Sequence, residues 1–332
     1  MPNDNQLTAI SPIRLATGNA VELSIVTPMY NEAPNLEHFF TRLVPLLEHL
    51  KLTYEIICVN DGSRDETLPR LLEHHHRHAA IKVVNLSRNF GKEIALSAGL
   101  DYANGAAVIP LDADLQDPPE VIETLVAKWR EGYDVVYATR RSRQGESWVK
   151  RCTADLFYRV LDHMTEVPIP RNTGDFRLLD RRVVEALKQA RERTRFMKGL
   201  FSWVGFKQTA IFYDRQQRYA GTTKWNYWQL WNLAISGIVS FGSIPLRVWS
   251  YMGLACASLA FLYATFLVMR TLILGIDVPG YASLMVVILF LGGLQLISLG
   301  VIGEYLGRVY DEVKGRPLYL VRDCYGFAPE QA

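Results

Sequence analysis

Ala106-Ala-Val-Ile-Pro110-Leu-Asp112-Ala113-Asp114-Leu-Gln116-Asp117-Pro118-Pro119-Glu120 is an apolar run of strand length that ends in two carboxylates one residue apart. A helix is expected to start at the paired prolines. Side chains at i and i+2 of a strand end share a face, so Asp112 and Asp114 project together from the carboxyl edge of a sheet. Open α/β sheets bind their ligands at that edge. Two like charges held so close are costly unless a cation lies between them. Hard oxygen donors, few in number, suit Mg²⁺ or Mn²⁺, whose other positions go to water and substrate phosphates. Read alone, the pair equally fits a strand end followed by a helix cap. The surrounding loops decide.

Residues 23–28, 55–59 and 82–86 are short apolar stretches, each followed by a polar loop and a helical pattern. After the first come Met29-Tyr30-Asn31-Glu32, with Asn31 and Glu32 expected to cap a helix and Pro34 in its first turn. After the second come Asn60-Asp61-Gly62-Ser63, where Ser63 and Glu66 read as a capping box. Ser87-Arg88-Asn89-Phe90-Gly91-Lys92 opens the third helix. With the 106–111 run, strand, loop and helix alternate four times within the first 130 residues. That pattern predicts a mostly parallel sheet wound with helices. Pro110 removes a ladder donor, so either that flank of its strand is unpaired or the backbone bulges there. No Gly-x-Gly-x-x-Gly follows the first strand and no Walker loop is present, which removes the main support for dinucleotide and P-loop readings. Acidic residues stand in their place: Glu32, Asp61, Asp112 and Asp114 all lie on strand-terminal loops. The four together point to a nucleotide-diphosphate site built around a metal, with Asp61 or Glu32 accepting hydrogen bonds from base or ribose.

Further along, a strand at 135–138 leads into a basic segment holding Arg140, Arg141, Arg143, Lys150 and Arg151. It is a solvated loop or a set of guanidinium forks that clamp phosphate. Asn172-Thr173-Gly174-Asp175-Phe176-Arg177 follows, and Asp175 reads as a turn residue or as a further active-site carboxylate. His74-His75-His76-Arg77-His78 lacks an acidic or cysteine partner nearby and reads as a solvated helix face. Cys58, Cys152, Cys256 and Cys324 show no paired spacing, as expected of free thiols in a reducing compartment.

With 36 basic and 34 acidic residues, the 332-residue chain carries no nucleic-acid footprint. Its apolar residues are unevenly spread. Residues 248–269 and 278–303 carry no charge; at roughly 22 and 26 residues, each is long enough to cross a bilayer. The N-terminus has no apolar stretch of the secretory kind, and residues 1–20 read as an arm. Trp225, Trp228 and Trp231 recur at helical spacing, as on a helix lying at a membrane surface, and the Arg218–Lys224 turn precedes them. Arg247 flanks the first apolar run and Arg308, Lys314 and Arg316 flank the second, which places both termini in the cytoplasm by the positive-inside rule. Gly303 and Gly307 allow close helix contact and make a homo-oligomer plausible. Residues 317–327 read as a segment able to pair with a neighbour. The layout expected is an arm (1–20), a catalytic domain (21–195), an amphipathic juxtamembrane segment with a late strand (196–243), a two-helix transmembrane hairpin (244–310) and a cytoplasmic tail (311–332).

Val26-Thr27-Pro28-Met29-Tyr30-Asn31-Glu32, Val59-Asn60-Asp61-Gly62-Ser63, Asp112 through Pro119 and Asn172 through Arg177 resemble glycosyltransferase family 2. More narrowly they look like the polyprenyl-phosphate hexose transferases, the group of bactoprenol glucosyltransferases and dolichol-phosphate mannose synthase. The resemblance runs over residues 21–326. It implies a GT-A fold, with Pro28, Tyr30, Glu32 and Asp61 around the base and ribose and Asp112 and Ala113 on the nucleotide sugar. It implies that Asp112, Asp114 and Gln116 hold Mg²⁺ or Mn²⁺ and that Arg218 and Lys224 reach donor phosphates. Arg140, helped by Arg151, would bind the lipid phosphate, and Asp175 matches the residue proposed as base. The reaction implied is inverting transfer of a hexose to undecaprenyl phosphate at the inner membrane by a homo-oligomer, a tetramer in this group, in lipopolysaccharide modification. UDP-glucose is the favoured donor, with GDP-mannose, UDP-GlcNAc and UDP-formamido-arabinose as alternatives. A processive synthase would carry Gln-x-x-Arg-Trp, which is absent, and a scaffold would not need the carboxylates.

Overall fold

Neighbouring strand residues bury on opposite sides, and this sets the architecture. Ile25 packs with Leu36, Phe39, Leu71 and Ile122 on one face, while Val26 packs with Ala95, Leu96, Val184 and Met197 on the other. Strands covered on both faces are apolar throughout, as a parallel sheet requires. The computed structural model describes residues 21–141, 173–190, 192–193, 195, 197–214, 244–274 and 280–328. Arg143, Lys150, Arg151, Asn172, Arg218, Lys224, the three spaced tryptophans and the N-terminal arm lie outside the described residues.

Strands β1 (Leu23–Met29), β2 (Tyr54–Asn60), β3 (Ile81–Leu86) and β4 (Ala107–Pro110) are joined by helices α1 (Leu36–His49), α2 (Thr67–Arg77) and α3 (Lys92–Tyr102). Helix α4 (Val121–Arg130) leads to β5 (Val135–Arg140); β6 (Thr173–Asp180), α5 (Arg181–Gln189), α6 (Met197–Trp203) and β7 (Gln208–Tyr213) follow. Two long helices, α7 (Ile244–Leu274) and α8 (Tyr281–Val313), precede the last strand, β8 (Val321–Tyr325). The sheet order is β7-β5-β6-β4-β1-β2-β3-β8. Strands β1 to β4 run parallel, β6 and β8 run antiparallel to their neighbours, and β7 is parallel to β5. The chain moves outward from β1 to β3, then returns to lay β4 on the other side of β1. The switch point between β1 and β4 is where such sheets bind ligands.

The structure resolves the question of Pro110. Ala107 and Leu111 donate to carbonyls on the β1 side, Glu22 and Val26, so the amide position of residue 110 faces β6. Pairing with β6 has ended at Val108, and the missing donor leaves no gap in the ladder.

Three local expectations are corrected. Helix α2 has no capping box: Ser63 Oγ accepts from the Asn31 amide instead, and Asp65 accepts from the amide of Thr67. His74 is not solvated; it is 8 % exposed, stacked on Phe40 at 4.4 Å between centroids and 3.3 Å from Glu37. Its partners come from α1, remote in sequence. The C-terminal strand β8 pairs with β3 of its own chain, and Tyr319 and Asp323 bond Asp101 and Asn85.

Helices α7 and α8 occupy the region where the hairpin is expected. Among the described residues one segment, Phe290–Val313, is long and apolar enough to cross a membrane, and Tyr251–Tyr263 is a shorter apolar stretch. Leu254, Phe261 and Leu272 on α7 and Phe290, Leu296 and Leu306 on α8 are exposed.

Candidate active site

Four loops meet at the carboxyl edge of β1 to β4, and backbone strain marks two of them. Asn31 (φ 54) and Leu115 (φ 52) adopt the left-handed conformation that side chains disfavour, a cost typically retained at functional sites. Asn31 is held there by Ser63 Oγ on its amide and by its side chain on the Arg64 amide. Gly62, also left-handed, lies so close to the 88–89 backbone that a Cβ would sit 2.5 Å from it.

After β1, Pro28 and Tyr30 are partly exposed while Thr27 and Met29 are buried, so the two predicted nucleotide contacts share one face. Glu32 accepts from the Asn35 side chain at 2.6 Å. Asp61 is 2 % exposed, and its two oxygens accept the amides of Phe90 and Gly91 at 2.7 and 2.9 Å. Burial pushes its carboxyl up, against those two bonds and Arg88. Asp61 therefore acts first as the clasp that fixes the loop opening α3.

The acidic loop alternates. Leu111, Ala113, Leu115 and Asp117 are buried, whereas Asp112, Asp114 and Gln116 are partly exposed. Asp112 and Asp114 thus face the same way. The Gln116 amide donates to Asp114 at 3.1 Å, closing the turn. Burial raises the Asp112 carboxyl, and the charges of Asp175 and Asp114 add to this against the pull of Lys92.

Asp175 does not lie in a turn. It sits within β6, where the register against β5 shifts between the pairs at Tyr137 and Thr139. The shift brings it to the acidic loop through Lys92, the first residue of α3, whose ammonium is 2.7 Å from Asp112 and 2.9 Å from Asp175. Burial opposes the charge on Lys92, but the two carboxylates outweigh it and hold the ammonium well above its ordinary range. Asp175 is held well below the carboxylate range: burial works against its charge, and Lys92, Lys198 and Arg177 prevail. Its Oδ1 is buried with no hydrogen-bond partner among the described residues.

Lys92 escapes sequence reasoning because it reads as a helix opener. So does Tyr213: its hydroxyl accepts from Nε of Arg140, the predicted phosphate-binding residue at the end of β5, at 3.3 Å and donates to buried Asp117. Among the described residues no cluster of three or more His, Cys, Asp or Glu forms a metal cage. Two carboxylates on one face, with a side-chain amide beside them, nevertheless fit Mg²⁺ or Mn²⁺, which commonly takes one or two carboxylates and completes its shell from phosphate.

Behind Lys92, Glu93 accepts the Met197 amide at 3.0 Å, and burial, then the charge of Asp175, pushes its carboxyl up to about 7. The folded protein therefore keeps that proton up to about pH 7, while the unfolded chain gives it up near 4.5. Stability from this source is full below the lower value and lost as pH rises through the upper. Glu93→Gln keeps an acceptor for Met197, so its melting temperature should exceed that of the wild type at pH 8 and match it near pH 4.5.

A mostly parallel sheet with a paired-carboxylate loop at its switch point, crossed on one side by an antiparallel strand that brings a further carboxylate, defines a GT-A-like glycosyltransferase domain. The chain belongs to glycosyltransferase family 2: that family matches residues 24–188, and the GtrB C-terminal hairpin matches residues 244–309. It is 68 % identical over 306 residues to an uncharacterized glycosyltransferase of Synechocystis, covering 92 % of this chain and 96 % of that one. It is 47 % identical over 305 residues to the SfII prophage-derived bactoprenol glucosyl transferase of Shigella flexneri, covering 92 % and 99 %. An uncharacterized glycosyltransferase of Bacillus subtilis, YkcC, is 46 % identical over 306 residues, covering 92 % and 95 %.

Proposed function

We propose that the protein is a membrane-bound inverting transferase that moves glucose from UDP-glucose to undecaprenyl phosphate. The observation that carries this reading is the charge layout of one sheet edge. Asp112 and Asp114 stand ready for a cation and a diphosphate, and Arg140 lies beside them for a second phosphate. Relatives called bactoprenol glucosyl transferase, matched along almost their whole length, support the sugar and the lipid.

Pro28, Tyr30 and Glu32 take the base and ribose, and Asp61 holds the neighbouring loop in shape. Asp112, Asp114 and Gln116 hold Mg²⁺ or Mn²⁺, with Ala113 against the donor. When bound, that ion neutralises charge on the departing diphosphate as a Lewis acid. Arg218 and Lys224 share this work from the juxtamembrane segment. Arg140 and Arg151 fix the acceptor phosphate in line with the anomeric carbon, and attack from the opposite side inverts it. A phosphate monoester with a second pKa near 6 is already mostly dianionic at neutral pH and needs no base. Asp175, held ionised by Lys92, orients the sugar or the acceptor.

The membrane half follows from the acceptor. Its phosphate lies at headgroup level while its tail stays in the bilayer, so a domain anchored by the α7–α8 hairpin reaches one without extracting the other. The exposed apolar side chains of both helices support two spans, and flanking arginines and lysines put the site and both termini on the cytoplasmic side of the inner membrane. On this reading the chain divides at 20, 195, 243 and 310, and Gly303 and Gly307 join copies into a homo-oligomer.

The test is full-length protein with undecaprenyl phosphate and a panel of labelled nucleotide sugars, with and without chelator. UDP-glucose should give a lipid-phosphate-linked sugar, chelation should stop transfer, and Mn²⁺ should restore it. Transfer to no polyprenyl phosphate, or undiminished transfer in chelator, overturns the reading.

A further inference from the structure

We infer that Tyr213 and Asp117 are positioning residues that aim Arg140 at the acceptor phosphate, the phenol tying the acceptor cation to the acidic donor loop. The inference rests on the role proposed above for Arg140 and adds how that residue is held.

Arg140 and Tyr213 are the last residues of β5 and β7 and lie opposite one another in register. The Arg141 amide donates to the Tyr213 carbonyl at 3.0 Å, so the pairing runs past both side chains and fixes their spacing. The Tyr213 ring is 5 % exposed and meets the edge of Phe176, with centroids 6.1 Å apart. Its hydroxyl has one donor and room to accept. It donates to Asp117 and accepts from Arg140 Nε at 3.3 Å. Asp117 is 6 % exposed and belongs to the same loop as Asp112, Asp114 and Gln116. A buried carboxylate needs such a donor, and one that also accepts is polarised by the bond it gives. Burial first, and then the charge of Asp117, pushes the Tyr213 phenol up, so it stays protonated and keeps donating.

The geometry also explains why a phenol stands between carboxylate and guanidinium. Arg140 Nη2 is 3.9 Å from Asp117, near enough for attraction and too far for a hydrogen bond. A direct bidentate pair would occupy two nitrogens of the fork and leave little for an incoming phosphate. Here the hydroxyl takes only Nε, and among the described residues neither terminal nitrogen makes a hydrogen bond, which leaves both for an anion. Gly174 completes the cradle: a Cβ there would sit 3.4 Å from Arg140 Nη2 and 3.9 Å from Asp117. The guanidinium thus lies against bare backbone next to Asp175, where even a Cβ would make only ordinary contact with it.

Tyr213→Phe keeps the ring and its contact with Phe176 and removes the hydroxyl. In full-length protein it should raise the KM for undecaprenyl phosphate about fivefold to tenfold, within the range for one lost hydrogen bond. The kcat should stay within about twofold, and the affinity for UDP with Mn²⁺ should not change. Asp117→Asn keeps an oxygen for the phenol but removes the charge that lies 3.9 Å from Arg140 Nη2, and should move the acceptor KM in the same direction even if loss of the Tyr213 hydroxyl harms folding. A merely structural phenol would lower the melting temperature without this selective rise. Arg140→Met separates the two levels. If it leaves the acceptor KM unchanged, the assignment of Arg140 itself fails. If it raises that KM while Tyr213→Phe and Asp117→Asn both leave it at the wild-type value, the positioning role alone is overturned.

Discussion

Asp114→Asn is expected to reduce sugar transfer by about a thousandfold or more while the protein melts at its usual temperature. The retained amide oxygen can still accept the Gln116 amide that Asp114 accepts at 3.1 Å, so the strained turn at Leu115 keeps its closure. What is lost is one negative charge from a pair that shares a face. Removing it lowers affinity for a hard dication, which prefers carboxylate to amide. Several kcal/mol of charge stabilisation on a leaving diphosphate converts to a factor of this size. Two measurements are needed, turnover with UDP-glucose and Mn²⁺ binding in the presence of UDP, and both should fall. Normal turnover would remove the proposed metal role for this loop. Lost turnover with unchanged Mn²⁺ binding would move Asp114 from holding the ion to contacting the sugar.

The frame of this site was legible in the sequence because it is built from local rules. Four strand–loop–helix units, each ending in an acidic or amide residue, place Asn31, Asp61 and Asp112 at one sheet edge without further information. The alternation of buried and partly exposed residues from Leu111 to Asp117 follows from i and i+2 geometry in the same way. What stayed hidden depends on contacts between distant segments. His74 read as solvated because Phe40 and Glu37 lie a helix away. Asp175 read as a turn because Thr173–Asp180 has few strand-forming residues, and its place in the sheet comes from pairing with β4 and β5. Lys92 and Tyr213 carry no local mark at all. Each is ordinary in its own element and acquires a role from carboxylates contributed by other loops. The Ser63–Glu66 box failed for a related reason, since the Asn31 loop took the hydroxyl the helix would have used.

Asp175→Asn should slow transfer by roughly a hundredfold, the scale of a lost orienting contact, and by the same factor at every pH from about 6 to 9. A general base would behave otherwise. Its effect would depend on the fraction ionised, and it works best with a pKa near the working pH. Asp175 is placed for the opposite: Lys92 at 2.9 Å, with Lys198 and Arg177 behind, holds it well below the carboxylate range in spite of burial. A depressed pKa of this kind keeps the group ionised down to strong acid, so no change in its charge falls within the assay range. It makes a poor proton acceptor and a dependable anion. On the proposed reading the side chain, which remains 14 % exposed, is an acceptor for a hydroxyl group of the bound sugar. Asparagine keeps an oxygen at that position but weakens the tie to Lys92, which must lean on Asp112 alone. The loss should therefore appear in kcat more than in donor affinity, and a pH–rate profile parallel to the wild type identifies the orienting role. A profile whose acid limb disappears in the variant would instead return Asp175 to the part of base.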